Sequence, residues 1–364
     1  MGGRGVRKPV SIKDIAHAAG VSPSTVSRAL SNHPRISEET ATRIRSLAKE
    51  LGYTPSLPAR SLVTQHTATI GLVITYVSDP FLGRLVHGVE DAARGSGYSV
   101  YLISSHLDAD REEEILRSLH ERRVTGIIVT GSRIDNRYLQ LRERFPVPVV
   151  LINCPDYPFS VSTDNLRGAY QATEHLVELG HRRIAYVANP YSRGTDLDRL
   201  AGYKMALADH GIPSNEWLTV EGDGTLQGGV LAVQRLLALS QPPTAILCFN
   251  DMTAMGVIHA LSRAKKKVPP DCSVIGFDDL ELAAYYCPPL TTVRQPAYRM
   301  GQRAMRILQE LIQGQSQVRT EVLPTELVVR ETTASVPRPP SRQGREVIAP
   351  QPRGIGIPDR RRTT

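Results

Sequence analysis

Residues 11–30 read SIKDIAHAAGVSPSTVSRAL, and their spacing predicts two short helices joined by a tight turn. Ser11 stands where an N-cap belongs, and Asp14, three residues on, can reach back to it as in a capping box. Ile12, Ile15, Ala16 and Ala19 recur at helical spacing, which gives the first helix one apolar face. Gly20 ends that helix at a position that tolerates positive φ. Ser22 is expected to cap the second helix, and Pro23 suits its first turn because the missing N–H would have no intrahelical acceptor there. Val26 and Leu30 are expected to turn inward. Ser24, Thr25, Ser27 and Arg28 are left as an outward polar row with a cationic end, chemistry that suits a major-groove floor. A plain helical hairpin with a solvated polar row has the same local pattern, so the flanking sequence must decide.

Beyond a loop, SNHPRI, Ser37 is placed to cap a third helix whose first turn holds Glu38 and Glu39, favourable against the helix dipole. Ile44, Leu47, Ala48 and Leu51 form its apolar stripe and Gly52 stops it. Three such helices can share one small core. Arg35, in the loop, is placed for a phosphate or a groove edge. Next comes YTPSLPARSL (53–62), where Ser56 can cap a short helix, Pro58 is tolerable in its first turn, and Leu57, Ala59 and Leu62 supply an apolar side. Such a segment is marginal as an isolated helix. It reads either as a simple linker or as a segment that folds only against DNA and a second copy of itself.

At 364 residues the chain exceeds one compact domain, and 41% hydrophobic content supports a real core. Its net charge is +8, unevenly spread. Residues 1–65 carry ten Lys/Arg against four Asp/Glu, and residues 337–364 carry seven against two, so the stretch between them is net acidic. Positive charge at the two ends fits an N-terminal segment that meets polyanion while the middle does something else. The four cysteines (Cys154, Cys248, Cys272, Cys287) lie far apart, without metal-ligand spacing; Cys154 and Cys248 end apolar runs and read as small buried hydrophobes. No metal or cofactor is expected. No apolar h-region follows the basic N-terminus and no apolar run is long enough to cross a bilayer, so a soluble, cytoplasmic protein with no membrane partner is expected. Residues 337–364, rich in Pro and Arg and without periodicity, are predicted to be a disordered basic tail.

From Ala68 the pattern changes. ATIGLVITYV is an apolar run, residues 81–96 have helical spacing, and YSVYLISS is another strand. The alternation continues through helix 109–122, strand VTGIIVTG, helix 136–145, strand PVPVVLIN, helix 166–179, strand RRIAYVAN, helices 197–210 and 226–239, strand TAILCFN, helix 252–263 and strand CSVIGF. Unbroken Val/Ile/Leu strands between helices indicate parallel sheets covered on both faces, and the length calls for two doubly wound lobes with a cleft between them. The fold class is therefore α/β, with a small all-α helix-turn-helix headpiece ahead of two parallel-sheet lobes.

Taken in order, the motifs IKDIAHAAGVSPSTVSRAL, GYTPSLPARSL, IGLVI with DPF, DNLRGAYQATEHLVELGHRRIAYV, DRLAGY, FNDMTAMG, SVIGFDD and PPLTTVRQP resemble the lactose/galactose repressor (LacI/GalR) family of bacterial transcription regulators, over about residues 1–336. The resemblance implies a core like periplasmic sugar-binding proteins, with three crossovers between lobes. It divides the chain into a basic arm 1–10, a helix-turn-helix domain 11–55, a hinge helix and linker 56–66, and a core 67–336. Within the core the N-lobe is expected at about 67–163 and 293–322, and the C-lobe at about 164–292 and 323–336. It implies a homodimeric or larger repressor of double-stranded DNA with a pseudo-palindromic operator. Ser24, Thr25, Ser27 and Arg28 then fall on the recognition helix, Pro23 and Ser24 on the pair of positions that most often sets operator choice, and Leu62 on the leucine that wedges into the minor groove. Arg28 is the candidate for a bidentate contact to guanine, whereas Pro23 can offer only apolar contact. Asn32, Arg35 and Arg60 complete the candidate DNA-binding set.

Ligand contacts in such a cleft are expected from strand ends and the loops after them. Asp79 and Phe81 follow the first strand, although Asp79 can equally cap the next helix and a Phe81 taken alone is more often core. Asn153 ends PVVLIN. Arg193, Thr195 and Arg199 are expected on the loop entering the DRLAGY helix, with Arg199 at the family's ligand-clamping position. Asn250 follows AILCF and Asp278 follows SVIGF, while Asp251 is expected to cap the helix from Met252 and Asp279 to point away. Carboxylates and arginine suit vicinal hydroxyls and an aromatic face covers a sugar ring, which makes a sugar or sugar derivative the expected effector. The two arginines also leave a phosphosugar or nucleobase open. A transport sugar-binding protein would carry a signal peptide and no basic headpiece. An enzyme finds no support either: G-x-S-x-G, a Walker lysine loop and G-x-G-x-x-G after a strand are all missing, and His17, His181 and His210 have no acid or nucleophile partner in sequence.

Overall fold

Ser11 and Asp14 close the predicted capping box: the Ser11 amide and hydroxyl both donate to the Asp14 carboxylate, at 2.8 and 2.7 Å. This starts α1 (Ile12–Ala19), which ends at Gly20 with φ 66. Helix α2 (Pro23–Leu30) is capped by Ser22 with Pro23 in its first turn, and α3 (Glu38–Glu50) by Ser37. Ile15, Ala16, Val26, Ala29, Ala41, Ile44 and Ala48 form their shared core, with Leu30 and Leu47 packed half-buried against it. Leu51 departs from the expected stripe: it is the C-cap of α3 and is 39% exposed. The Arg43 guanidinium also donates to the Ala19 carbonyl at 2.7 Å, fastening α3 to the end of α1.

The computed structural model describes residues 10–53, 67–134, 137–138, 140, 145–315 and 317–336, without the side chain of Arg193. The basic arm 1–9, the hinge segment 56–66 with Arg60 and Leu62, and the tail 337–364 lie outside the described residues. Its contacts divide the chain into two units, Met1–Ser162 with Ala297–Leu323 and Thr163–Pro296 with Pro324–Thr364.

Beyond the headpiece, the first unit is a doubly wound sheet. Its elements are β1 (Thr69–Ile74), α4 (Pro80–Gly95), β2 (Ser99–Ser104), α5 (Ala109–Glu121), β3 (Gly126–Thr130), β4 (Val149–Ile152), β5 (Phe159–Thr163), α11 (Ala297–Ile312) and β11 (Arg319–Leu323). The sheet runs β11-β5-β4-β3-β1-β2, and the pairings from β5 through β2 are parallel. Strands β1, β3 and β4 are buried as unbroken apolar runs predict. Strand β2 is not, because it is an edge strand, and Tyr101 and Leu102 on it are exposed.

The second unit repeats the plan with β5's continuation into α6 (Asn165–Glu178), then β6 (Ile184–Ala188), α7 (Arg193–Asp209), β7 (Thr219–Glu221), α8 (Leu226–Leu237), β8 (Ala245–Cys248), α9 (Asp251–Arg263), β9 (Ser273–Asp278), α10 (Glu281–Tyr285), β10 (Thr291–Arg294) and β12 (Glu326–Val328). Its sheet runs β12-β10-β9-β8-β6-β7, parallel except for the antiparallel β10–β12 pair. Residues 293–296 belong to this unit, on the other side of the boundary expected from sequence, because Val293 and Arg294 pair with β9 and β12. Two apolar layers cover the sheet, one around Met255, Val257 and Val274, the other around Tyr186, Tyr203 and Phe277. Cys248 is buried as expected, whereas Cys154 is only half-buried. No helix among the described residues is long and apolar enough to cross a membrane.

Candidate functional site

In the headpiece the outward face of α2 presents Pro23, Ser24 and Arg28 fully exposed, with Thr25 and Ser27 half-covered. The cap reaches into this face. The Ser22 hydroxyl accepts the Thr25 amide at 3.2 Å and lies 2.8 Å from both the Ser24 and Thr25 hydroxyls. Two of the polar side chains are thereby held at the helix start. Beyond α2 the chain turns through Asn32 at φ 53, and Asn32 and Arg35 stand exposed. The Arg28 carbonyl accepts the Ser31 hydroxyl and the His33 amide, so its side chain projects from a fixed backbone.

In the second unit the candidates gather at the carboxyl ends of the parallel strands, where doubly wound sheets bind ligands. Helix α7 begins four residues earlier than its sequence pattern suggests, so Arg193 and Thr195 lie in its first turn and not on a preceding loop. Asp196, which the sequence reading missed, anchors that turn by accepting the Tyr186 hydroxyl at 2.8 Å and the Asn189 amide at 2.9 Å. Burial pushes its pKa up. Thr195 is buried beside it.

Arg199 is 3% exposed. Its guanidinium carbon lies 3.7 Å from the centroid of the Phe277 ring and 4.5 Å from that of Phe249. Nε donates to Asn165 Oδ1 at 2.9 Å and Nη1 to the Phe249 carbonyl, while Nη2 donates to nothing among the described residues. Burial pulls its pKa down, and the nearby Asp278 carboxylate is the strongest of the anionic groups opposing that shift. Asp278 is buried at the end of β9 and receives the Gln295 side-chain amide at 2.6 Å. Gln295 in turn accepts the Thr163 hydroxyl at 2.7 Å, and Asn165 donates to the Thr163 carbonyl at 3.1 Å. Arginine and carboxylate are thus tied together through Asn165, Thr163 and Gln295. None of those three, nor Phe249 or Phe277, was singled out from sequence; the aromatic residue after each apolar strand, in CFN and GFD, was the available signal.

Asn250, and not Asp251 as expected, caps the helix. Asn250 caps α9, accepting the Thr253 amide at 2.9 Å, and its amide nitrogen donates to the Gly224 carbonyl at 2.9 Å, so both ends of the side chain are engaged within the protein. Asp251 is the first residue of the helix and fully buried, and burial pushes its pKa up to about 7. Asp279 points away from Asp278 as expected, into Arg294 at 2.7 Å and Arg330 at 2.6 Å. Burial alone would raise its pKa, but those hydrogen bonds and charges outweigh it and hold the carboxyl below its ordinary value.

In the first unit Asp79 caps α4, accepting the Phe81 amide at 2.9 Å, and burial raises its pKa against that bond. Phe81 is buried. Asn153 follows β4 at φ 62, and its Oδ1 is buried without a hydrogen-bond partner among the described residues. A buried acceptor left unpaired by the protein calls for a partner from outside it.

Comparison with known proteins agrees with the fold. Residues 11–56 match the family described as bacterial regulatory proteins, lacI family, and residues 173–333 match the periplasmic binding protein-like domain. The chain is 36% identical to the HTH-type transcriptional repressor PurR of Photobacterium profundum, over 88% of this chain and 98% of that protein. Among solved structures, the Lac repressor dimer bound to operator and the anti-inducer ONPF superposes with a TM-score of 0.83 at 30% identity, covering 90% of this chain and 100% of that one. A LacI family regulator from Enterococcus faecium with bound ribose has a TM-score of 0.68 at 28% identity, covering 74% of this chain and all of that one.

Proposed function

The chain belongs to the lacI family of bacterial regulatory proteins and is a DNA-binding transcriptional repressor under small-molecule control; from that premise we propose that its effector is a sugar or sugar derivative clamped by Arg199 and Asp278. The observation that carries this is the buried Arg199 guanidinium, lying over the Phe277 and Phe249 rings with one amino group unspent and a carboxylate nearby. Hydroxyl groups can donate to the carboxylate and accept from the arginine, which the two buried rings hold in place. Arg193, Thr195 and Asn250 belong to the same candidate set in the second unit, and Asp79, Phe81 and Asn153 are the ligand candidates of the first unit. The engaged side chain of Asn250 makes its part in this set positional. The ribose bound by one structural relative supports a sugar ligand here.

On the DNA side, Pro23, Ser24, Thr25, Ser27 and Arg28 face the bases, Arg35 takes a phosphate or a groove edge, Asn32 and Arg60 complete the DNA-binding set, and Leu62 enters the minor groove. The repressor acts as a cytoplasmic homodimer on a pseudo-palindromic operator and catalyses no reaction. Thermal-shift measurement across a panel of sugars, sugar phosphates and nucleosides tests the ligand site. A ligand at 100 times its dissociation constant stabilises the protein by about 2.7 kcal/mol. Asp278→Ala is expected to abolish the shift; an undiminished shift in that variant would move the site elsewhere.

A further inference from the structure

Asp278 and Asp279 both have positive φ, 126° and 53°, although neither is glycine. Consecutive side-chain-bearing residues in that region persist only where the surroundings hold them, and such places cluster at ligand clamps. The turn is held from beneath by one side chain. Asp251 Oδ2 accepts the Leu280 amide at 2.8 Å, and Oδ1 accepts the Thr292 hydroxyl at 2.5 Å, whose oxygen accepts the Asp279 amide at 3.4 Å. Both backbone N–H groups that follow Asp278 therefore end on the same buried carboxylate. The approach is close: a Cβ on Gly276 would stand 2.2 Å from Asp251 Oδ1, so β9 must carry glycine there.

We propose that Asp251 is a positioning residue for ligand binding, whose ionised carboxylate holds the Asp278–Leu280 turn in its strained form and whose protonation loosens it. This rests on the proposed role of Asp278 as a ligand contact. Both Asp251 oxygens are in use as acceptors, so a proton on either one weakens a bond to the turn; a charge-assisted bond is about twice as strong as a neutral one. The charged and titratable groups facing Asp251 are Asp279 on the turn, Arg330 after β12, Arg199 on α7 and Cys248 at the end of β8. Asp279 is itself held ionised by Arg294 and Arg330, and its charge together with full burial favours proton uptake by Asp251 near neutrality. The sign follows: the turn is firmest above neutral pH, and ligand affinity falls as the pH drops below it.

Amide hydrogen exchange on the full-length protein, corrected for intrinsic rates, reads the turn without any ligand. In the wild type, protection of the Leu280 and Asp279 amides is expected to be several-fold greater at about pH 8 than at about pH 5.5. In Asp251→Asn it is expected to be low at both, by about ten-fold at Leu280 relative to wild type, with the β8 and β9 amides unchanged. Thr292→Val cuts only the relay, so Asp279 is expected to lose protection while Leu280 keeps it. That variant decides the matter even if Asp251→Asn does not fold. Wild-type protection that does not change with pH, Leu280 protection retained in Asp251→Asn, or Asp279 protection retained in Thr292→Val would each overturn the proposal. If these amides behave as expected and yet Asp278→Ala still shows ligand-induced thermal shifts, the turn is as described and it is the assignment of Asp278 to the ligand that fails.

Discussion

An arginine with 3% of its surface exposed keeps its charge only where its surroundings replace water, and Arg199 has two rings, a carbonyl, an amide oxygen and Asp278 to do so. Arg28 is the opposite case, an exposed cation on a rigid helix whose energy is realised only on DNA. Replacing it with Ala is expected to cost about 1–3 kcal/mol of operator affinity and to relax the preference at one base pair, whereas Arg35→Ala should weaken all sequences alike and lower the salt slope by about 1. Anisotropy titrations against single-base operator variants at two salt concentrations separate these effects. At this scale the sequence marked Arg199 and Asp278 as candidates, because a strand end followed by Asp and a helix entered at DRLAGY are local signals. It put the helix cap on Asp251 where the structure has Asn250, since both residue types make good caps and the choice turned on a helix that begins one residue earlier than expected. Gln295 and Thr163 stayed hidden because their significance comes from hydrogen bonds between residues 132 apart in sequence.

Among the elements, α1 to α3 depend on one small core in which Ile15, Val26, Ala29 and Ile44 are fully buried. So small a core has little stability to spare. Truncating Ile44 to Ala costs about 2–5 kcal/mol, which is enough to unfold the headpiece. Calorimetry on Ile44→Ala is expected to show the large units melting as in the wild type while operator binding is lost; retained binding would mean that the three helices do not fold as one body. The headpiece was readable because its caps, Gly20 and apolar spacing all lie within a few residues of one another. The buried strands β1, β3 and β4 were readable from apolar runs. Strand β2 has the same kind of sequence and turned out to be an edge, which no local pattern distinguishes. Strand β5, FSVST, was missed because it is short and half polar, and β10 and β12 because their partners are set by the chain's return to the second sheet.

At the scale of the whole molecule, charge and chemistry are divided between the parts. The N-terminal segment that meets DNA is basic, and the net-acidic stretch after it holds the buried cation Arg199, the proposed ligand contact. Coupling between them requires that the ligand bind the operator-competent and operator-released forms unequally, since equal affinity shifts nothing. The central claim is that the Arg199–Asp278 site controls the grip of the headpiece on DNA. The direct measurement is an operator titration of wild type and Asp278→Ala, each with and without a saturating amount of the panel compound that gives the largest thermal shift. The expected result is that the compound changes wild-type operator affinity by about 5–150-fold and leaves Asp278→Ala, still binding DNA, unaffected. An equal response of both proteins to the compound, or no response from the wild type, would contradict it.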